Sequence, residues 1–223
     1  MKYKYKKYYK DFLIQSTTEA HVPWAQRIAD LLSESARARG TGIARRSPHY
    51  IRETIRSGKA IIALHRDGRL AGFTYIETWD HGRYVANSGL IVVPEFRGCQ
   101  LGKQLKRASF TLSRKNFPRA RIFSITTSPA VMKMNTDLGF RPVPLYQLTS
   151  DQDFWEGCRS CPNYDILQRN RNRMCLCTGL LFDPEETRPH FPKRGWKSVL
   201  QPTRWMEHAR ALFHEGLHFL NRL

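Results

Sequence analysis

Trp24, Ile28, Leu31 and Leu32 recur at helical spacing after the breaker Pro23, which predicts an amphipathic helix over 24–37 closed by Arg39-Gly40-Thr41-Gly42. Ser47-Pro48 reads as an N-cap followed by proline at the first helical position. Ile51 and Ile55 share a face and Gly58 ends the segment, so a second, short helix follows. The pattern then turns β-rich. Residues 60–65 and 70–78 are apolar runs joined at Asp67-Gly68, and a turn at Asp80-His81-Gly82 leads into a third strand over 84–93. Pro94 stops that strand, and Leu101, Leu105, Ala108 and Leu112 mark a helix to about Lys115. Residues 121–127 read as the next strand, Pro129 opens a helix that ends at Gly139, and 140–148 read as a strand made irregular by Pro142 and Pro144. The order ααβββαβαβ predicts an α/β domain with a mixed central sheet flanked by helices.

The ends differ from the middle. Residues 1–10 form a basic Lys/Tyr arm, 11–184 the domain itself with a Cys-rich segment at 155–184, and 185–201 a linker rich in Pro, Arg and Lys. From Pro202-Thr203 a last helix is expected, with Trp205, Ala209, Leu212, Phe213 and Leu220 on one stripe. It would pack on the domain or a sister subunit, or lie on a membrane surface.

At 223 residues with 41% hydrophobic and 12% aromatic content, the chain can bury a substantial core, which argues against wholesale disorder. No apolar run approaches the roughly 18 residues of a membrane span. The basic start is not followed by the apolar stretch of a secretory signal, so a cytoplasmic location is expected. Lys and Arg number 37 against 19 acidic residues, a formal charge of +18. Such a surplus suits an anionic partner: nucleic acid, a phosphorylated cofactor or an acidic substrate. A nucleic-acid-binding role, suggested by the Lys/Tyr arm, is the alternative from another class.

The chemistry concentrates where the third strand meets the third helix, over 89–103. Gly98 and Gly102 let backbone approach a bound group, Arg97 and Lys103 add charge, and unpaired N–H groups converge at the start of a helix. A pyrophosphate fits such a turn. Four further thiols, Cys158, Cys161, Cys175 and Cys177, lie within 20 residues and are candidates for a structural zinc site or for buried or redox-active cysteines.

The strand, loop and helix with Arg97 and Gly102 resemble the GNAT superfamily of N-acyltransferases over roughly residues 12–148, with Gln100 where the family's loop has its first glycine. The resemblance implies a GNAT fold and a site for acetyl-CoA or succinyl-CoA on Ile91, Val92, Val93, Arg97, Gly98, Cys99, Gln100, Leu101, Gly102 and Lys103. Ile43-Ala44-Arg45-Arg46-Ser47, Ile125-Thr126-Thr127, Gly139-Phe140-Arg141-Pro142-Val143 and Asn163-Tyr164 are similar to segments of the acyltransferase domain of N-acetylglutamate synthases. They also resemble a compact group with succinyl-transferring members. This implies acyl transfer to the α-amino group of L-glutamate or a similar amino acid in arginine biosynthesis; another amine or a protein N-terminus is the alternative acceptor.

By that resemblance Ile43, Arg45, Asn163, Tyr164 and an arginine such as Arg169 would hold the acceptor, since two carboxylates call for planar guanidinium forks. The family's catalytic glutamate falls at Ala86 or Asn87. Proton removal therefore passes to water held by Asn87 and Ser88, or to Glu77 if it faces the cleft. The family's tyrosine acid falls at Asn135, which leaves Thr127 or Ser128 as donors to the leaving thiolate. A homo-oligomer is compatible with this reading.

Overall fold

The computed structural model describes residues 3–39 and 45–186. Ile43 and the expected C-terminal helix lie outside the described residues, as does all but the start of the linker.

The two predicted N-terminal helices are α1 (Ala25–Arg39) and α2 (Pro48–Arg56), the second capped by Ser47, whose side chain accepts from the Tyr50 N–H at 3.1 Å. The meander is β3 (Ala60–His65), β4 (Leu70–Trp79) and β5 (Tyr84–Val92). It is followed by α3 (Leu101–Asn116), β6 (Arg121–Thr126) and α4 (Pro129–Thr136).

Two strands precede this series, β1 (Lys6–Tyr9) and β2 (Phe12–Ser16), so residues 6–9 of the basic arm are an edge strand. The strand expected over 140–148 shrinks to β7 (Arg141–Val143), because Pro144 starts a tight turn. The Cys-rich stretch holds two short helices, α5 (Gln152–Glu156) and α6 (Tyr164–Arg169), and returns as β8 (Thr178–Phe182).

All eight strands form one sheet in the order β1-β2-β3-β4-β5-β6-β8-β7, antiparallel except for the parallel pair β5 and β6. Strand alternation sends side chains to two cores. Ile61 and Ala63 of β3 face α3, whose Leu101, Leu105, Ala108 and Leu112 are fully buried. Ala60 and Ile62 face the other way, onto Ile28, Leu32, Ile51 and Ile55 of α1 and α2. Each such large aliphatic side chain contributes about 1.5–3 kcal/mol by leaving water. A third cluster seats Phe154 and Trp155 of α5 on Phe123 and Leu181, which anchors the Cys-rich stretch to the sheet.

Candidate active site

Strands β5 and β6 pair only from Tyr84 to Ala86 against Arg121 to Phe123. Beyond that they part: β6 continues alongside β8 to Thr126, and β5 alongside β4 to Val92. The backbone edge of β5 facing β6 is therefore left open beyond Ala86, and Ser124 Oγ bridges to Asn87 O at 3.3 Å where the gap begins.

The register also slips between β4 and β5, with Phe73 opposite Ile91 but Tyr75 opposite Ser88, so Gly89 and Leu90 form a bulge. Gly89 has φ +61, and a Cβ there would enter the Tyr75 ring. Only glycine meets both demands. The Val93 N–H bonds Ala71 O at 2.9 Å, and alternation back along the strand turns Ile91 toward β4 and the amides of Leu90 and Val92 toward the gap. The amides of Ile91 and Val93 are thus engaged on β4, and that of Leu90, not singled out from sequence, is turned to the open edge.

At the end of β5 the chain passes through a turn at Pro94–Phe96 into α3. Arg97 Nε donates to Val92 O at 3.2 Å, and Cys99 Sγ to Phe96 O at 3.0 Å, so Cys99 is a packed thiol. Gly98 has φ +81. Gln100 stands at the N-cap with φ 66, in the left-handed region that glycine occupies at no cost, and its side chain makes no capping bond. The Leu101, Gly102 and Lys103 amides open the helix without a side-chain cap, and Lys103 pairs with Asp137 at 3.5 Å.

A cavity of about 140 Å³ passes through the gap between β5 and β6. On the side of α1 and α2 its wall holds Arg46, Tyr75, Glu77 and Ser88. Glu77 is 9% exposed and collects three partners. Ser88 Oγ donates to its Oε2 at 2.6 Å, the Tyr50 hydroxyl donates to Oε1, and an Arg46 nitrogen lies 3.8 Å from Oε1. Arg46 also donates to the Tyr75 hydroxyl at 3.0 Å and to Gly157 O at 3.2 Å, and stacks 5.2 Å from the Tyr50 ring centre. Burial, with Glu77 close by, pushes the Tyr50 and Tyr75 phenols well above their ordinary range, so both stay protonated donors. Burial alone would lower Arg46, but Tyr75, Glu77 and Tyr50 outweigh it and fix the guanidinium in its charged form.

On the α3 side, Asn87 is turned away from this cluster. Its Nδ2 donates to Ser113 Oγ at 2.8 Å and its Oδ1 accepts from Ser109 at 3.4 Å, so its amide is committed to α3 and is not free to hold a catalytic water. Ser88 points the other way, onto Glu77. Thr127 borders the cavity. The Ser128 hydroxyl caps α4 by accepting from the Val131 N–H at 3.4 Å. Lys106 of α3 reaches the same cavity, 2% exposed.

The acceptor residues expected from sequence divide. Arg45 is exposed and anchored through its backbone N–H to Ser160 Oγ at 2.8 Å, while its neighbour Arg46 enters the cavity. Arg169 is drawn off along α6 by Asp165, at 3.0 Å, with most of its side chain exposed, and does not line the cavity. Asn163 and Tyr164 border an adjoining apolar pocket with Cys158, Cys161, Cys175 and Cys177, and the Asn163 Nδ2 is buried without a partner.

All four cysteines are free thiols. Burial, reinforced by the neighbouring thiols, pushes Cys158 up to about 11 and Cys177 up to about 12. Among the described residues no group of three or more His, Cys, Asp or Glu is arranged to hold a metal ion. The zinc expectation is accordingly not supported: the four half-buried thiols border one pocket, but not as a ligand set.

Comparison with known proteins agrees with this architecture. The Acetyltransferase (GNAT) family matches residues 25–135. The chain carries a GNAT acetyltransferase domain. Among solved structures, N-acetylglutamate synthase from Neisseria gonorrhoeae, complexed with coenzyme A and N-acetyl-glutamate, superposes with a TM-score of 0.57 at 18% identity. That match covers 80% of this chain but 36% of the synthase, so this chain spans about a third of that protein. Rv2747 from Mycobacterium tuberculosis, in complex with CoA and NLQ, gives 0.54 at 15% identity over 76% of this chain and 98% of that one. A phosphinothricin acetyltransferase from Sinorhizobium meliloti, in complex with AcCoA, gives 0.52 at 15% identity over 78% and 88%. No curated protein sequence matches the chain. Among the described residues no helix is long and apolar enough to cross a membrane.

Proposed function

We propose that the protein transfers an acyl group, acetyl or succinyl, from CoA to the α-amino group of L-glutamate or a similar acidic amino acid, the first kind of step in arginine biosynthesis. One observation carries this reading. The open amide edge of β5 runs from the uncapped start of α3 into a cavity whose far wall presents a carboxylate with its proton-relay partners.

The pyrophosphate would rest on the 98–103 turn, where amides and the positive end of the helix dipole face it with Arg97 and Lys103 beside it. The pantetheine arm would pair with the open edge of β5 as an added strand. The Leu90 and Val92 amides then stand where a thioester oxygen gathers negative charge during attack. An amine at the Glu77 end must lose a proton before it attacks, and Glu77, reached directly or through Ser88, is the acceptor. Arg46, already held by Tyr75 and Gly157, and Arg45 beside it supply guanidinium groups for carboxylates of the acceptor. Much of the rate would come from holding amine and thioester together.

The test is to mix the full chain with acetyl-CoA or succinyl-CoA and each of the twenty amino acids and follow free thiol. Fastest release with glutamate, and its loss in Arg45→Ala with CoA binding retained, supports the assignment. Thiol release indifferent to the amino acid overturns the acceptor. Unchanged turnover in Arg45→Ala removes that residue from the site.

A further inference from the structure

The α3 wall of the cavity holds a cation that the acceptor chemistry does not use. Lys106 is 2% exposed, and its ammonium has no hydrogen bond or ion pair among the described residues; it lies over the Phe140 ring, 5.2 Å from the centre. A buried charge without a partner is costly, so its presence beside a cavity calls for a reason.

Its place along the cleft follows from its neighbours on α3. A Cβ on Gly102 would touch Val92 at 3.6 Å, and Ser109 and Ser113 bond Asn87. Lys106 lies between them and borders the same cavity as the bulge at Gly89 and Leu90, on the open edge of β5. Three other donors near that point are committed. Ser124 donates to Asn87 O, Ser88 to Glu77, and Asn135 donates along its own helix to Val131 O at 2.9 Å. Thr126 Oγ1 and Ser128 Oγ accept from the Ser128 and Val131 N–H groups and keep their own protons, but an aliphatic hydroxyl is a far weaker acid than an ammonium.

We propose that Lys106 is the catalytic acid that protonates the departing thiolate, a role that rests on the acyl-transfer reading above. The C–N bond forms and the C–S bond breaks. The sulfur keeps the electron pair and takes a proton from Nζ. The attacking nitrogen sheds its surplus protons to Glu77 and solvent, and solvent returns one to Lys106. Burial lowers the Lys106 ammonium to about 7, below the roughly 8.5 of an ordinary thiol, so the transfer runs downhill. Across the cavity the titratable groups are Glu77, Arg46, Tyr75, Cys158, Cys161 and Cys177. On the helices beside it, Lys103 and Lys133 are both tied to Asp137. None of these pairs with Lys106.

The experiment compares wild type, Lys106→Met and Lys106→Arg as full chains on two donors. One is acetyl-CoA, and the other is the acetyl thioester of 4-nitrothiophenol, whose thiolate leaves without a proton. Circular dichroism confirms folding, and direct titration gives CoA affinity. Expected are a fall in kcat on acetyl-CoA of about 10²-fold in both variants with CoA affinity unchanged, loss of the limb above pH 7, and rates on the aryl thioester within about threefold of wild type. Four results overturn the assignment: equal losses on both donors, activity restored by arginine, weakened CoA binding with kcat intact, or losses confined to acyl chains bearing a carboxylate. If wild type transfers acetyl to no amine, the acyl-transfer reading falls and the lysine's role with it. If wild type is active and the variants match it, only the lysine's role falls.

Discussion

Ser88 Oγ donates to Glu77 Oε2 at 2.6 Å across neighbouring strands, so a carboxylate and the hydroxyl touching it share one face of the sheet where β5 stops pairing with β6. Glu77→Gln keeps the shape of the site and removes its proton acceptor. We expect kcat to fall by about 10²–10³-fold with CoA affinity unchanged, and Ser88→Ala to fall by about tenfold, both read from thiol release at saturating donor. A Glu77→Gln enzyme within threefold of wild type would place the base elsewhere.

Gly89 combines a left-handed backbone with a Cβ direction blocked by the Tyr75 ring. Gly89→Ala is expected to lose about 2–4 kcal/mol in denaturant unfolding, through backbone strain and displacement of a buried tyrosine. Acyl transfer should fall further than stability alone explains, because Tyr75 holds Arg46.

Gln100 carries the opposite signature: a residue with a side chain where the backbone is left-handed. Replacing it by glycine relieves about 1–2 kcal/mol of backbone strain and returns about 0.4–1 as unfolded-state entropy. The expected net gain is about 0.5–1 kcal/mol, seen as a higher Tm, with tighter CoA binding because nothing then crowds the turn. A lower Tm would contradict the described loop conformation.

Cys158 and Cys177 should resist alkylation at pH 8. With burial raising them to about 11 and about 12, the thiolate fraction is on the order of 10⁻³ or less, roughly two to three orders of magnitude below an ordinary thiol. The sign follows from desolvation: reactivity appears only as pH climbs toward those values. Peptide mapping after timed iodoacetamide treatment checks this, and rapid labelling of either would show a charged or metal-polarised sulfur.

The helices and the meander are legible because their apolar periods are long and their stops are explicit, as at Ser47-Pro48 and Pro94. β1 hides behind its composition: Lys6-Lys7-Tyr8-Tyr9 reads as a charged arm, and only pairing with β2 makes it a strand. β8 is five residues at the end of a Cys/Arg-rich stretch, too short to stand out, and its place between β6 and β7 is a tertiary fact.

The site divides in the same way. The loop at 97–103 is a local pattern, legible as a strand-to-helix turn. The choice of Arg46 over Arg45 as the cavity residue turns on which neighbour faces inward, and the orientation of Asn87 toward α3 turns on Ser109 and Ser113, twenty and more residues away. Lys106 is the charged position among the buried residues of α3, between Leu105 and Ala108, and that placement is a signal in the helical pattern.

The stretch between Val143 and Thr178 leaves the sheet as β7 and rejoins it as β8, which lies against both β6 and β7. It is a cassette stapled at two adjacent rungs, and its small helices and thiols wall the end of the cleft remote from α3. Exchanging that cassette for one of different length would remodel what enters there while β6 keeps its partner and the 97–103 turn keeps its shape, so the two halves of the site can diverge independently.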